Sequence, residues 1–131
     1  MYQQMSTAAL DIITSLTFIS YIGPGYKINV KTNTIVEAES HTGSFMRYIS
    51  GESRKHTVQY ISDIVTKAID IASKEDEYSR FSILEAMRKA MEGINNLMIT
   101  YEKDRYIVAK LTSEILRIEH FIRQVSDGNI R

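Results

Sequence analysis

The chain has 131 residues, 44% hydrophobic and 24% charged, a balance that suits one globular domain with its own core. Sixteen Lys and Arg face sixteen Asp and Glu, so no global field exists to hold a nucleic-acid duplex or an acidic membrane. Cysteine is absent, which excludes disulfides, thiolate metal sites and cysteine nucleophiles.

The first 26 residues carry one charge, Asp11, and no lysine or arginine, whereas a secretory signal begins with basic residues. The uncharged run 12–26 holds several hydroxyl residues and Gly23-Pro24-Gly25, too short and polar to span a bilayer. A cytoplasmic protein with no membrane association is therefore expected. Isoleucine outnumbers leucine 19 to 6, a bias that points to an AT-rich genome such as that of many phages.

Residues 2–22 read as a first helix. Met5, Ala8, Ala9, Ile12, Ile13, Leu16 and Ile19 recur at helical steps, and Phe18, Tyr21 and Ile22 widen the apolar surface. Such a helix is buried on most sides, which raises the expectation of a homo-oligomer. Gly23-Pro24-Gly25 ends it.

Over residues 26–38 a short β-hairpin is expected. Tyr26 to Val30 alternates apolar and polar residues, Thr32-Asn33-Thr34 suits a turn, and Ile35 to Ala38 returns. A lone hairpin is marginal in water, so it must lie on the helices or pair with another chain.

Residues 44–126 read as helices. Val58, Ile61, Ile64, Val65, Ala68, Ile69 and Ala72 form one face of a helix from about Glu52 to Ser73. Ser73 and Ser82 each precede a carboxylate by three residues, so the next helix has two candidate starts. Leu84, Met87, Met91, Ile94, Met98 and Tyr101 form one seam, and Val108, Leu111, Ile115, Ile118, Ile122 and Val125 a second. Between them Glu102-Lys103-Asp104-Arg105 has no apolar residue, and the phase slips. Either two antiparallel helices meet there, the preferred reading, or one helix of about 50 residues runs about 75 Å. Asp127-Gly128-Asn129 is a stop signal. The expected fold is mainly α: one domain, 1–131, a bundle of about four helices with the hairpin.

The candidate site is the stretch from His41 to His56. Arg47, Arg54 and Lys55 oppose only Glu52 there, a local excess of positive charge in a chain whose total is zero. Gly51 permits a tight turn into a helix start, where free N–H groups and the positive dipole end attract anions. Ser50 and Ser53 add hydroxyl donors, Arg47, Arg54 and Lys55 suit phosphate oxygens, and Phe45 and Tyr48 offer faces for a base. The bland alternative is a helix cap, since serine and glycine favour helix starts anyway. The glycine spacing is not that of a P-loop.

No His-Glu-x-x-His or Glu-x-x-His motif occurs, and no Gly-x-Ser-x-Gly. No metal site, cofactor or catalytic set is expected. Asp63 with Lys67, Asp70 with Lys74, Glu85 with Lys89 and Glu119 with Arg123 suit i,i+4 helix-surface pairs. Arg105, between Tyr101 and Tyr106, faces a polar pocket or interface, or marks a helix junction. The reading that results is a non-enzymatic protein that sequesters or senses a small phosphorylated, nucleotide-type ligand at an oligomer interface. Two rivals stand beside it: a protein–protein module, such as a phage-encoded inhibitor or adaptor acting through residues 1–22 or the Met-bearing seam, and an accessory nucleic-acid binder.

Overall fold

The computed structural model describes residues 4–38 and 51–128, with side chains from residue 54 onward in the second stretch. In chain order the elements are α1 (Thr7–Ser20), β1 (Tyr26–Asn29), β2 (Thr34–Glu37), α2 (Gly51–Lys74), α3 (Glu77–Thr100) and α4 (Arg105–Ser126). The architecture is a small, mainly α bundle of four helices with one antiparallel hairpin. None of the described helices is long and apolar enough to cross a membrane.

α1 is shorter than the apolar run implies. Ser6 caps it, its Oγ accepting from the Ala9 N–H at 3.1 Å, which satisfies one otherwise free helix donor. Only Ala9, Ile12, Leu16 and Ile19 are buried within it, while Leu10 and Tyr21 face solvent.

Contacts advance in step along α1 and α3. Ser6 reaches Glu75 just before α3, Ile19 lies on Gly93, and Asn96 donates to the Ile22 carbonyl at 2.9 Å. The two helices therefore run parallel. α2 and α4 do so as well, with Arg54 meeting Asp104 near one end and Thr66 meeting Arg117 more than three turns along. α1 and α4 each pack against both α2 and α3. Phe18 of α1 meets Tyr60 of α2 edge-on, centroids 6.2 Å apart.

The α2–α3 link takes two residues. Asp76 caps α3 by accepting from the Ser79 N–H at 2.8 Å, so neither Ser73 nor Ser82 starts that helix. Arg80, 7% exposed, donates to the Ala72 and Glu75 carbonyls at 2.8 and 3.1 Å, closing the end of α2 whose carbonyls lack helical partners. At residues 101–104 the chain turns, and α3 and α4 are two helices. Asp104 caps α4.

Both sequence seams point inward. Leu84, Met87, Ile94 and Tyr101 are buried on α3, and Leu111 and Ile118 on α4. The hairpin rests on the helices too: β1 packs on α3, and Ile28 is buried opposite Ile35. Thr100, fully buried, accepts from the Gly25 N–H at 2.8 Å and shares its proton between the Tyr26 and Asn96 carbonyls, both at 3.1 Å. Gly25 has φ +90, a conformation glycine adopts without a Cβ penalty. Asn33 has φ 56 at the hairpin turn.

The apolar first helix, the hairpin and the long seams were each grounds for expecting a second subunit. Each has its partner within the chain. The α1 face and the Met-bearing seam suggested for a protein partner are likewise largely spent on the core.

Candidate ligand-binding end of the bundle

Because α2 and α4 run parallel, both begin at the same end of the bundle. The turn after α3 lies there as well. The site is assembled around Asp104, whose side chain is only 6% exposed. Its Oδ1 accepts from the Tyr106 and Ile107 N–H groups at 3.1 and 3.2 Å, as an N-cap does. Its Oδ2 accepts from Arg54 Nε at 2.9 Å. One carboxylate thus caps α4 and ties it to α2.

The Arg54 guanidinium lies 5.7 Å from the Tyr106 ring centroid, and the Lys110 ammonium lies 5.8 Å from it. Both cations are placed where the ring's negative face attracts them. Arg105, by contrast, is exposed in the first turn of α4. Tyr101 is buried beneath the turn, and its phenol is pushed up to about 12, first by burial and second by the charge of Asp104.

Among the sequence candidates, Phe45, Arg47, Tyr48 and Ser50 lie outside the described residues. The backbones of Gly51 and Ser53 fall in the first turn of α2. Arg54 is half-buried and engaged with Asp104, and Lys55 is exposed. The structure therefore brings Arg54 together with Asp104, Tyr106 and Lys110, a set that spacing alone did not reveal. The one local signal was Asp104 itself, an N-cap residue type standing just before an apolar-periodic run. No protein-family model matches the chain, and no curated protein or solved structure shows significant similarity to it.

The electrostatics follow. Asp104 offsets Arg54 and occupies two N–H donors of α4. Lys55, Lys103 and Arg105 are exposed around this end, with Glu102 among them. The excess is positive, and the start of α2 adds its dipole. Elsewhere, Glu114 is buried on α4 and accepts from Arg117 at 2.5 Å, while Arg117 also donates to Thr66 at 2.8 Å. That triad links α4 to α2. No three His, Asp or Glu side chains among the described residues gather as metal ligands.

Proposed function

We propose that this protein is a non-enzymatic binder of a small phosphorylated ligand of nucleotide type, taken at the end of the bundle where α2 and α4 begin. The observation that supports this reading is the convergence of two parallel helix starts with Lys55, Lys103 and Arg105. The N–H groups in the first turn of α2 and the Lys55 ammonium receive phosphate oxygens. Arg47, Ser50 and Ser53 supply further donors, and Phe45 or Tyr48 contacts the base. Arg54 takes a different part from the one its position suggests. Tied to Asp104 and stacked on Tyr106, it holds the two helix starts together and positions Lys55 beside it.

A thermal-shift panel of mono- and dinucleotides tests the proposal. Binding raises the melting temperature according to ligand concentration over Kd. Lys55→Ala is the cleaner variant, because Lys55 is exposed and its loss does not touch the core. The expected result is a shift by one nucleotide class that Lys55→Ala or Arg47→Ala reduces. No shift by any of them, or a shift unchanged in both variants, rejects the reading.

A further inference from the structure

One face of α3 looks outward along most of its length. Phe81, Glu85, Arg88, Glu92, Asn95 and Ile99 step by 4, 3, 4, 3, 4, and all six are exposed. That spacing places them in a single stripe, the pattern of a helix–helix seam. It is distinct from the inward seam of the same helix. Phe81 and Ile99 stand at its two ends, 58% and 49% exposed, separated by about 27 Å at the helical rise.

The stripe is self-complementary about its midpoint, next to Ala90. Inverted on itself, it sets Phe81 against Ile99, Glu85 against Asn95, and Arg88 against Glu92. Laid parallel on itself, it would oppose Glu85 to Glu85, Arg88 to Arg88 and Glu92 to Glu92, and like charges face to face are repulsive. The antiparallel arrangement sets no like charges directly opposite one another.

A groove lies at the Ile99 end. Asn95, Met98, Ile99, Glu102, Val108 and Thr112 line about 460 Å³ between α3 and α4, mostly with apolar atoms. It is a shallow depression, open to solvent over most of its extent. Leu116, 59% exposed, stands one turn beyond Thr112 on α4 and extends the apolar rim toward the middle of the stripe. An exposed phenylalanine at one end and an open apolar groove at the other make a knob and a socket on one surface.

We infer that this face of α3 is a homodimer interface, in which two copies pair antiparallel about a two-fold axis and each places Phe81 in the Ile99 groove of the other. The same patch serves both copies, as a two-fold axis requires. Arg88 of one copy then meets Glu92 of the other, twice over, while keeping its own Glu85, which it holds at 2.5 Å. A second copy is the occupant because the charge order and the knob-and-groove order both invert about the same point. An unrelated protein would have no reason to match both. The seam spans about five turns and falls at the small end of specific interfaces, so its Kd is expected in the range of roughly 1–100 µM. This proposal is independent of ligand binding at the α2 and α4 starts.

Sedimentation velocity of the full chain across a concentration series tests it. The expected result is a monomer–dimer equilibrium that Glu92→Arg or Arg88→Glu weakens by about tenfold or more, since each opposes like charges across the axis. The double swap, Arg88→Glu with Glu92→Arg, restores the cross-pairs and recovers dimer. Phe81→Ser, at an exposed position, weakens association without changing the helical circular dichroism. A chain that stays monomeric at about 1 mM, or a dimer indifferent to Phe81→Ser and to the charge substitutions, overturns the proposal. So does a double swap no tighter than the single variants.

Discussion

Gly93 of α3 lies so close to α1 that a Cβ built on it would sit 1.9 Å from the carbonyl oxygen of Ile19 and 2.7 Å from the carbonyl carbon. These are backbone atoms, so no side chain can swing aside. Glycine inside a helix costs about 1 kcal/mol relative to alanine. The position keeps glycine because contact between the two parallel helices outweighs that cost.

Gly93→Ala is therefore expected to destabilise strongly despite the better helix propensity of alanine. α1 must lift from α3, exposing Leu16 and Ile19, which are now fully buried. The expected loss is about 3 kcal/mol or more, at the upper end of overpacking substitutions. Urea denaturation measures it. Ser113→Ala, at an exposed site on α4, provides the comparison and should stay within about 0.5 kcal/mol of the parent. Equal midpoints for the two variants would show that the helices part without cost.

Thr100→Val tests how α3 holds the hairpin. The shapes match, but valine accepts nothing from the Gly25 N–H and donates nothing to the Tyr26 carbonyl. A buried donor left without a partner costs about 1–3 kcal/mol. The loss is local: amide exchange at Gly25 should accelerate, while exchange in the middle of α4 should follow only the global change. An unaltered Gly25 amide would mean that Thr100 does not hold the turn.

Much of this fold is written in residue periodicity. The hairpin ends, the stop at Gly23-Pro24-Gly25 and the break at residues 102–104 all follow from local chemistry, since turns and caps involve residues a few positions apart. Interactions between distant segments are a different matter. Nothing about Arg54 announces Asp104, 50 residues away, until α2 and α4 are known to run parallel. Gly93 looks like a weak point in a helix, and its purpose appears only once α1 is laid across it. The residues that raised the oligomer expectation are spent largely on the core, which leaves the oligomeric state itself to the outward stripe of α3 as a proposal. Inward seams drew notice because they are apolar, whereas the outward stripe of α3 is mostly charged and its symmetry shows only when inverted on itself. In the candidate site, the basic excess was legible, and the separation of Arg54 from Lys55 by role was not.

Asp104→Ala removes a cap and an ion-pair partner together. The cap is worth about 1 kcal/mol, and the loss of the ion pair with half-buried Arg54 adds to that. The combined loss is expected at about 2–3 kcal/mol. Arg54→Ala should cost less, about 1–2 kcal/mol, since the Arg54 side chain is 26% exposed and solvent screens part of the pair. In a double-mutant cycle by thermal or chemical denaturation, the two losses should fall short of additive because they share one interaction. Strict additivity would place the two residues in separate roles.

Tyr101 gives the bundle an alkaline weakness. Its phenol is raised from the ordinary 10.0 to about 12 in the folded chain by burial and by Asp104. Between those values the folded state holds the proton and the unfolded state releases it, so stability falls as pH rises. The contribution is fully present below pH 10 and is lost as pH climbs through 12. A difference of that size corresponds to about 2–3 kcal/mol across the window. Tyr101→Phe removes the group that titrates and keeps the ring. The variant should match the parent closely at pH 7 and then lose less stability than the parent between pH 10 and 12, measured as the difference in denaturation midpoints. Parallel pH profiles for the two proteins would place the Tyr101 phenol in water rather than beneath the α3–α4 turn.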